Sequence, residues 1–211
     1  MKIIFTTLFL VIASLAIAAN GDTSKVQTHT NVVVVTNPNT GSNEYLGWGV
    51  FPAATKKYRK VLVKMKYNCP SGMNCGEWDY IDRVMLRRKG SVANVSENIE
   101  LVRFITPYGL QFANTWNFEW KMDITDFSLF LHDSVEIGYV HTGYETNVGR
   151  GWLVNLTFEL IEGDPITETL EISRLWDGSF AYGNDSNPIN TVLAAVPIST
   201  NSAANILKFR L

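Results

Sequence analysis

Trp152-Leu-Val-Asn-Leu-Thr-Phe-Glu-Leu-Ile161 sets Trp152, Val154, Leu156, Phe158 and Leu160 on one face and Asn155, Thr157 and Glu159 on the other. Side chains that alternate with period two describe a strand with one face in a core and one in water. The same pattern recurs upstream, where Val61, Val63, Met65 and Tyr67 alternate with Leu62, Lys64 and Lys66. Further β-rich runs lie at Val32–Val35, Tyr80–Leu86, Ile99–Ile105, Trp116–Ile124 and Val135–Val140. Turn residues separate them, among them Asn37-Pro-Asn39, Pro52, Arg88-Lys-Gly90, Pro107-Tyr-Gly109 and Gly149-Arg-Gly151. No long stretch of helical period is present. The one helical signal is Asp123-Ile-Thr-Asp126 before Phe127–Leu131, with Thr125 or Asp126 placed to cap a single turn. Seven or eight short strands punctuated in this way predict an all-β chain, an antiparallel two-sheet sandwich of jelly-roll type.

The ends of the chain read differently. Lys2 followed by the apolar run Ile3–Ala18, with small residues at Ala16, Ala18 and Ala19, predicts a signal peptide over residues 1–19. The rival reading, a membrane anchor, needs roughly 20 apolar residues. The expected destination is therefore secretion or the periplasm, with no membrane attachment after cleavage. Gly163-Asp-Pro165 closes the sandwich pattern, since proline donates no ladder hydrogen bond. Residues 166–211 become rich in Gly, Asn, Asp and Ser, and the final Leu207, Phe209 and Leu211 alternate with Lys208 and Arg210. That tail either returns to the first sandwich or opens a second β unit that is incomplete at Leu211.

The net charge is −2 and the basic residues are dispersed, which excludes a nucleic-acid footprint. Six tryptophans suit either a packed β core or a carbohydrate-binding surface. Cys69 and Cys75 are the two cysteines, and in an exported chain they are expected to pair; two free structural thiols are the alternative. With scattered His29, His132 and His141 they match no metal-ligand spacing, so neither metal nor cofactor is expected. The loop they bracket leads into Glu77, Trp78 and Asp79. Two carboxylates beside an aromatic at a strand start suit acid–base chemistry, because a neighbouring acid can raise a carboxyl pKa.

Several segments in order resemble the peptide-N-glycosidase F family. They are Asn68-Cys-Pro70, Cys75-Gly-Glu-Trp-Asp79, Arg103-Phe-Ile-Thr-Pro-Tyr108, Asp123-Ile-Thr-Asp-Phe127, Gly151-Trp152 and Phe158-Glu-Leu-Ile-Glu-Gly-Asp-Pro165. The resemblance covers about Val61 to Pro165. It implies the first of two adjoining jelly rolls, with an active site at their interface. It also implies hydrolysis of the amide joining asparagine to N-acetylglucosamine, without metal or cofactor. Asp79 then matches the primary catalytic carboxylate, with Glu77 as the adjacent acid, and Cys69–Cys75 matches a family disulfide. The implied partner is an N-linked glycan or glycoprotein, with Trp78, Tyr80 and Trp120 as candidate contacts. Two positions depart from the family pattern. Tyr80 stands where the enzyme has arginine. His141 stands at a second acidic position, which Glu145 would fill across a short gap. The partner glutamate of the second jelly roll would follow Leu211, so a chain of this extent is expected to be inactive alone. The alternative function is a glycan-binding or adhesion sandwich. A copper monooxygenase with paired jelly rolls is disfavoured by the small number of histidines.

Overall fold

The computed structural model describes residues 21–89, 96–144, 149–172, 206 and 208. The chain runs through β1 (Thr23–Val34), β2 (Ser42–Phe51), β3 (Tyr58–Asn68), the short β4 (Asn74–Cys75) and β5 (Ile81–Lys89). It continues through β6 (Ser96–Ile105), β7 (Asn117–Asp123), β8 (Asp133–Thr142) and β9 (Arg150–Glu162). One sheet has the order β1-β9-β3-β7, with β4 added to β9, and the other has the order β2-β8-β5-β6. All pairings are antiparallel except β4 with β9. The chain is thus the two-sheet sandwich that its alternation predicts.

The core is the sum of those alternations. Val61, Val63, Met65 and Tyr67 of β3 and Val154, Leu156, Phe158 and Leu160 of β9 face Val84 and Leu86 of β5 and Val135, Ile137 and Tyr139 of β8. All thirteen are fully buried, and each such side chain contributes about 1.5–3 kcal/mol of burial. The helical signal resolves as a 3-10 turn over Thr125–Phe130 that buries Phe127 and Phe130. Neither Thr125 nor Asp126 caps it. Instead Asp123 accepts from the Thr125 N–H at 3.0 Å, and the Thr125 hydroxyl accepts from the Val61 N–H at 3.0 Å.

β2 falls outside the strand runs that the sequence predicts, because Gly47 and Gly49 lower its strand propensity. The structure shows why those glycines are there. A Cβ at Gly47 would lie 2.3 Å from the Thr28 carbonyl oxygen, and one at Gly49 would lie 2.8 Å from Val26 Cγ1. The edge of β2 is thereby packed against β1, which bulges between Gln27 and Val32. Side chains close the seam: the Tyr45 hydroxyl accepts from the Val35 N–H at 2.9 Å, and Asn43 donates to the Val35 carbonyl at 2.7 Å. Residues 1–20 and 173–205 lie outside the described residues, and with them the expected signal peptide and most of the expected second β unit. Of that unit, residues 166–172, 206 and 208 are described and none is in a strand.

His29 completes the seam. Its Nε2–H donates to the Tyr45 carbonyl at 2.8 Å, and its Nδ1 accepts from the Thr28 hydroxyl at 3.0 Å. The ring is buried, and burial lowers its pKa below the ordinary 6.5, with the Tyr45 hydrogen bond opposing in part. Above pH 6.5 both folded and unfolded forms are neutral and this group adds no pH dependence. Below it the unfolded chain takes up the proton first, so stability falls as pH drops toward the lower folded value. Thermal denaturation between about pH 7.5 and about pH 5 is expected to show a falling Tm, with a shallower fall in His29→Gln. An identical slope in that variant would remove His29 as the cause.

Candidate functional site

The turn that carries Asp79 is built outward from the disulfide loop. Cys69 and Cys75 are bonded, with their Cα atoms 4.6 Å apart. Gly72 turns the loop at φ 75°, and the Asn74 N–H donates to the Gly149 carbonyl at 3.0 Å, so the returning segment pairs with β9. Beyond Cys75 the backbone is pressed onto Trp152: a Cβ at Gly76 would sit 2.3 Å from its Nε1. Gly109 donates its N–H to the Gly76 carbonyl at 3.0 Å, and its own Cβ would lie 2.6 Å from the far edge of the same indole. Two glycines and one buried tryptophan therefore hold the segment that precedes Glu77.

Thr106 fixes the next three residues. Its hydroxyl accepts from the Tyr80 N–H at 2.9 Å and donates to the Trp78 carbonyl at 3.1 Å, and its own N–H donates to the Tyr80 carbonyl at 2.8 Å. Asp79 lies between the two clamped residues. Its side chain is exposed, and among the described residues it has no hydrogen-bond or ion-pair partner. Trp78 and Tyr108 stand half-exposed next to it, ring edge to ring face, with centroids 5.4 Å apart.

The remaining sequence candidates separate into distinct places. Glu77 pairs with Arg150, Oε2 to Nε 3.2 Å. Tyr80 packs over Gly143, where a Cβ would come within 2.6 Å of the phenol ring. It meets the His141 ring edge-on, with centroids 5.9 Å apart. His141 is buried at the end of β8. Trp120 is partly buried against Tyr67 at 4.9 Å, with Phe104 and Phe118 also in contact, so its ring belongs to the aromatic edge of the core. Glu145 lies outside the described residues.

Sequence reasoning missed Asp82. It is fully buried and stands opposite His141 in the β5–β8 register. His141 Nδ1 lies 2.8 Å from Asp82 Oδ1, and the Tyr139 hydroxyl donates to Asp82 Oδ2. The Tyr139 hydroxyl also meets that of Tyr67, across the sandwich on β3. Burial, and then the Asp82 charge, push both phenols well above the ordinary tyrosine range, so both remain protonated donors. On its other side His141 presents Nε2 to the Thr36 hydroxyl at 3.2 Å. The available signal was positional: Asp82 and His141 are polar residues at core-facing positions, in line with Val84 and Leu86 and with Ile137 and Tyr139. Among the described residues no three His, Cys, Asp or Glu side chains are grouped so as to hold a metal ion.

The chain is similar to solved structures of peptide-N-glycosidase F. Recombinant N-glycanase F is 26% identical with a TM-score of 0.51, over 68% of this chain and 43% of that one. The structure of peptide-N(4)-(N-acetyl-β-D-glucosaminyl)asparagine amidase is 26% identical with a TM-score of 0.52, over 69% and 44%. The glycosylasparaginase PNGase F from Flavobacterium meningosepticum is 25% identical with a TM-score of 0.50, over 69% and 43%. The similarity matches one domain of that enzyme, and the chain spans less than half the length of these structures. No family model and no curated protein sequence matches the chain.

The glycine contacts give a direct test of how the Asp79 turn is held. Gly109→Ala forces a methyl group against the Gly76 carbonyl and the Trp152 ring, where backbone gives little room. It is expected to cost about 1–3 kcal/mol of stability in urea denaturation. An unchanged midpoint would show that the contact is slack.

Proposed function

We propose that this chain carries the Asp79 half of an N-glycan amidase site, extracytoplasmic as its disulfide and its resemblance to part of PNGase F are consistent with. The observation that carries the reading is Asp79 itself: an exposed carboxylate, unpartnered among the described residues, on a turn clamped at both flanks by Thr106, beside two exposed aromatic rings. In that role the carboxylate takes a proton from attacking water, and Trp78 and Tyr108 meet the apolar face of a sugar. Hydrolysis of the glycosyl amide also needs a proton for the leaving nitrogen. Glu77 is committed to Arg150 and His141 is turned into the core. The second acid therefore comes from a second jelly roll, either joined to this one or on another chain.

A glycan-binding sandwich without chemistry is the second reading. It is favoured by the inward-facing imidazole at the position where the resemblance implies an acid.

The two readings part on one set of measurements with an asparagine-linked chitobiose peptide. Trp78→Ala is expected to weaken binding roughly tenfold, as loss of one stacked ring does, while Asp79→Asn leaves binding unchanged. Residues 1–211 alone are expected to release no glycan. Release on addition of a second jelly roll, abolished by Asp79→Asn, supports the amidase. Binding with no release under any pairing supports the second reading, and absence of binding defeats both.

A further inference from the structure

Thr36, His141 and Asp82 stand in a line. The Thr36 hydroxyl is 3.2 Å from His141 Nε2, and His141 Nδ1 is 2.8 Å from Asp82 Oδ1. The order is alcohol, imidazole, buried carboxylate, which is the order by which a hydroxyl is made nucleophilic. We propose that Thr36–His141–Asp82 is a nucleophilic relay acting on acyl compounds, esters first, separate from the Asp79 turn and independent of the amidase reading.

The proton positions follow from the partners. Asp82 has no exposed surface and is held by the Tyr139 hydroxyl on one oxygen and by His141 on the other. A carboxylate so placed accepts the Nδ1 proton and fixes the imidazole tautomer. The lone pair of Nε2 then points at Thr36 and accepts its hydroxyl proton. Tyr80 packs edge-on against the same ring and keeps it from turning. The alcohol on the second nitrogen sits at the partly exposed end of this chain of contacts, where an acyl compound can reach it.

The step balances without an added co-reactant. The Thr36 oxygen bonds to the acyl carbon as its proton passes to His141 Nε2; the ester C–O bond then breaks, and the imidazolium gives that proton to the departing alkoxide, or to solvent when a phenolate leaves, which restores neutral Nε2. Water then attacks the acyl-threonine. Its proton moves to Nε2, the acid leaves, and the Thr36 oxygen recovers a proton from the imidazolium.

The test uses the full chain and p-nitrophenyl acetate, with the acetyl adduct mapped by peptide mass spectrometry. An adduct on Thr36 is expected, with p-nitrophenolate release at least about a hundredfold slower in Thr36→Val and in Asp82→Asn. Proton NMR accompanies it. The low-field Nδ1–H signal of His141 is expected to persist in Thr36→Val, which shows that loss of the reaction is not loss of the fold. Acetylation confined to lysines, or equal release rates in wild type and Thr36→Val, overturns the relay. Thr36→Val changes a partly exposed turn, so this comparison remains decisive even where Asp82→Asn fails to fold.

Discussion

Asp82 places a carboxylate where water does not reach, and such a group is tolerated in a β-sandwich only if neighbouring strands supply its partners. Three segments do so here. β8 brings Tyr139 and His141, β3 brings Tyr67 through the Tyr139 hydroxyl, and the turn after β1 brings Thr36 through the imidazole. The network therefore crosses from one sheet to the other. It also specifies register. With Asp82 opposite His141 and Val84 opposite Tyr139, a slip of one residue would turn the carboxylate's donors to the outer face. Leaving a buried ion without its partner costs about 3–5 kcal/mol, so the correct pairing of β5 with β8 is strongly preferred.

That register decides where Asp79 stands. Once Asp82 is locked inward, Ile81 faces out, Tyr80 covers the end of the network, and Asp79 falls in the turn before the strand. Thr106 on the next strand's exit then ties Trp78 and Tyr80 on either side of it. Two aspartates three residues apart thus receive opposite environments. Asp82 is fully enclosed and hydrogen-bonded, whereas Asp79 is open to solvent and has no partner among the described residues. Differences of this kind are what allow chemically identical side chains to take separate roles.

The sandwich itself was legible because alternation records which face of each strand is buried, and β3 and β9 alternate with little interruption. β2 was not, since its glycines answer to the approach of Thr28 and Val26 from another strand, a contact without local signature. Among the site residues the sequence grouped Glu77 with Trp78 and Asp79. In the fold Glu77 pairs with Arg150 of β9, a partner distant in sequence and without local signature. Trp120 and Trp78 look alike in sequence, and only the proximity of Tyr67 and Phe104 distinguishes a core ring from an exposed one. Asp82 was visible as a polar interruption of a core-facing row. It gains meaning only beside the same interruption at His141, and the pairing of β5 with β8 is a tertiary fact.

Amide hydrolysis requires two proton transfers in different directions, one from water and one to nitrogen. On the proposed reading, Asp79 supplies one of them. His141, on β8, is buried and carries two opposed nitrogens. One nitrogen requires an acceptor inside the core, which Asp82 provides; the other is left at Thr36. Both nitrogens of His141 are thereby engaged inside the fold, away from the surface that carries Asp79. On the two proposals, Asp79 in the turn before β5 and Asp82 within that strand belong to separate sites.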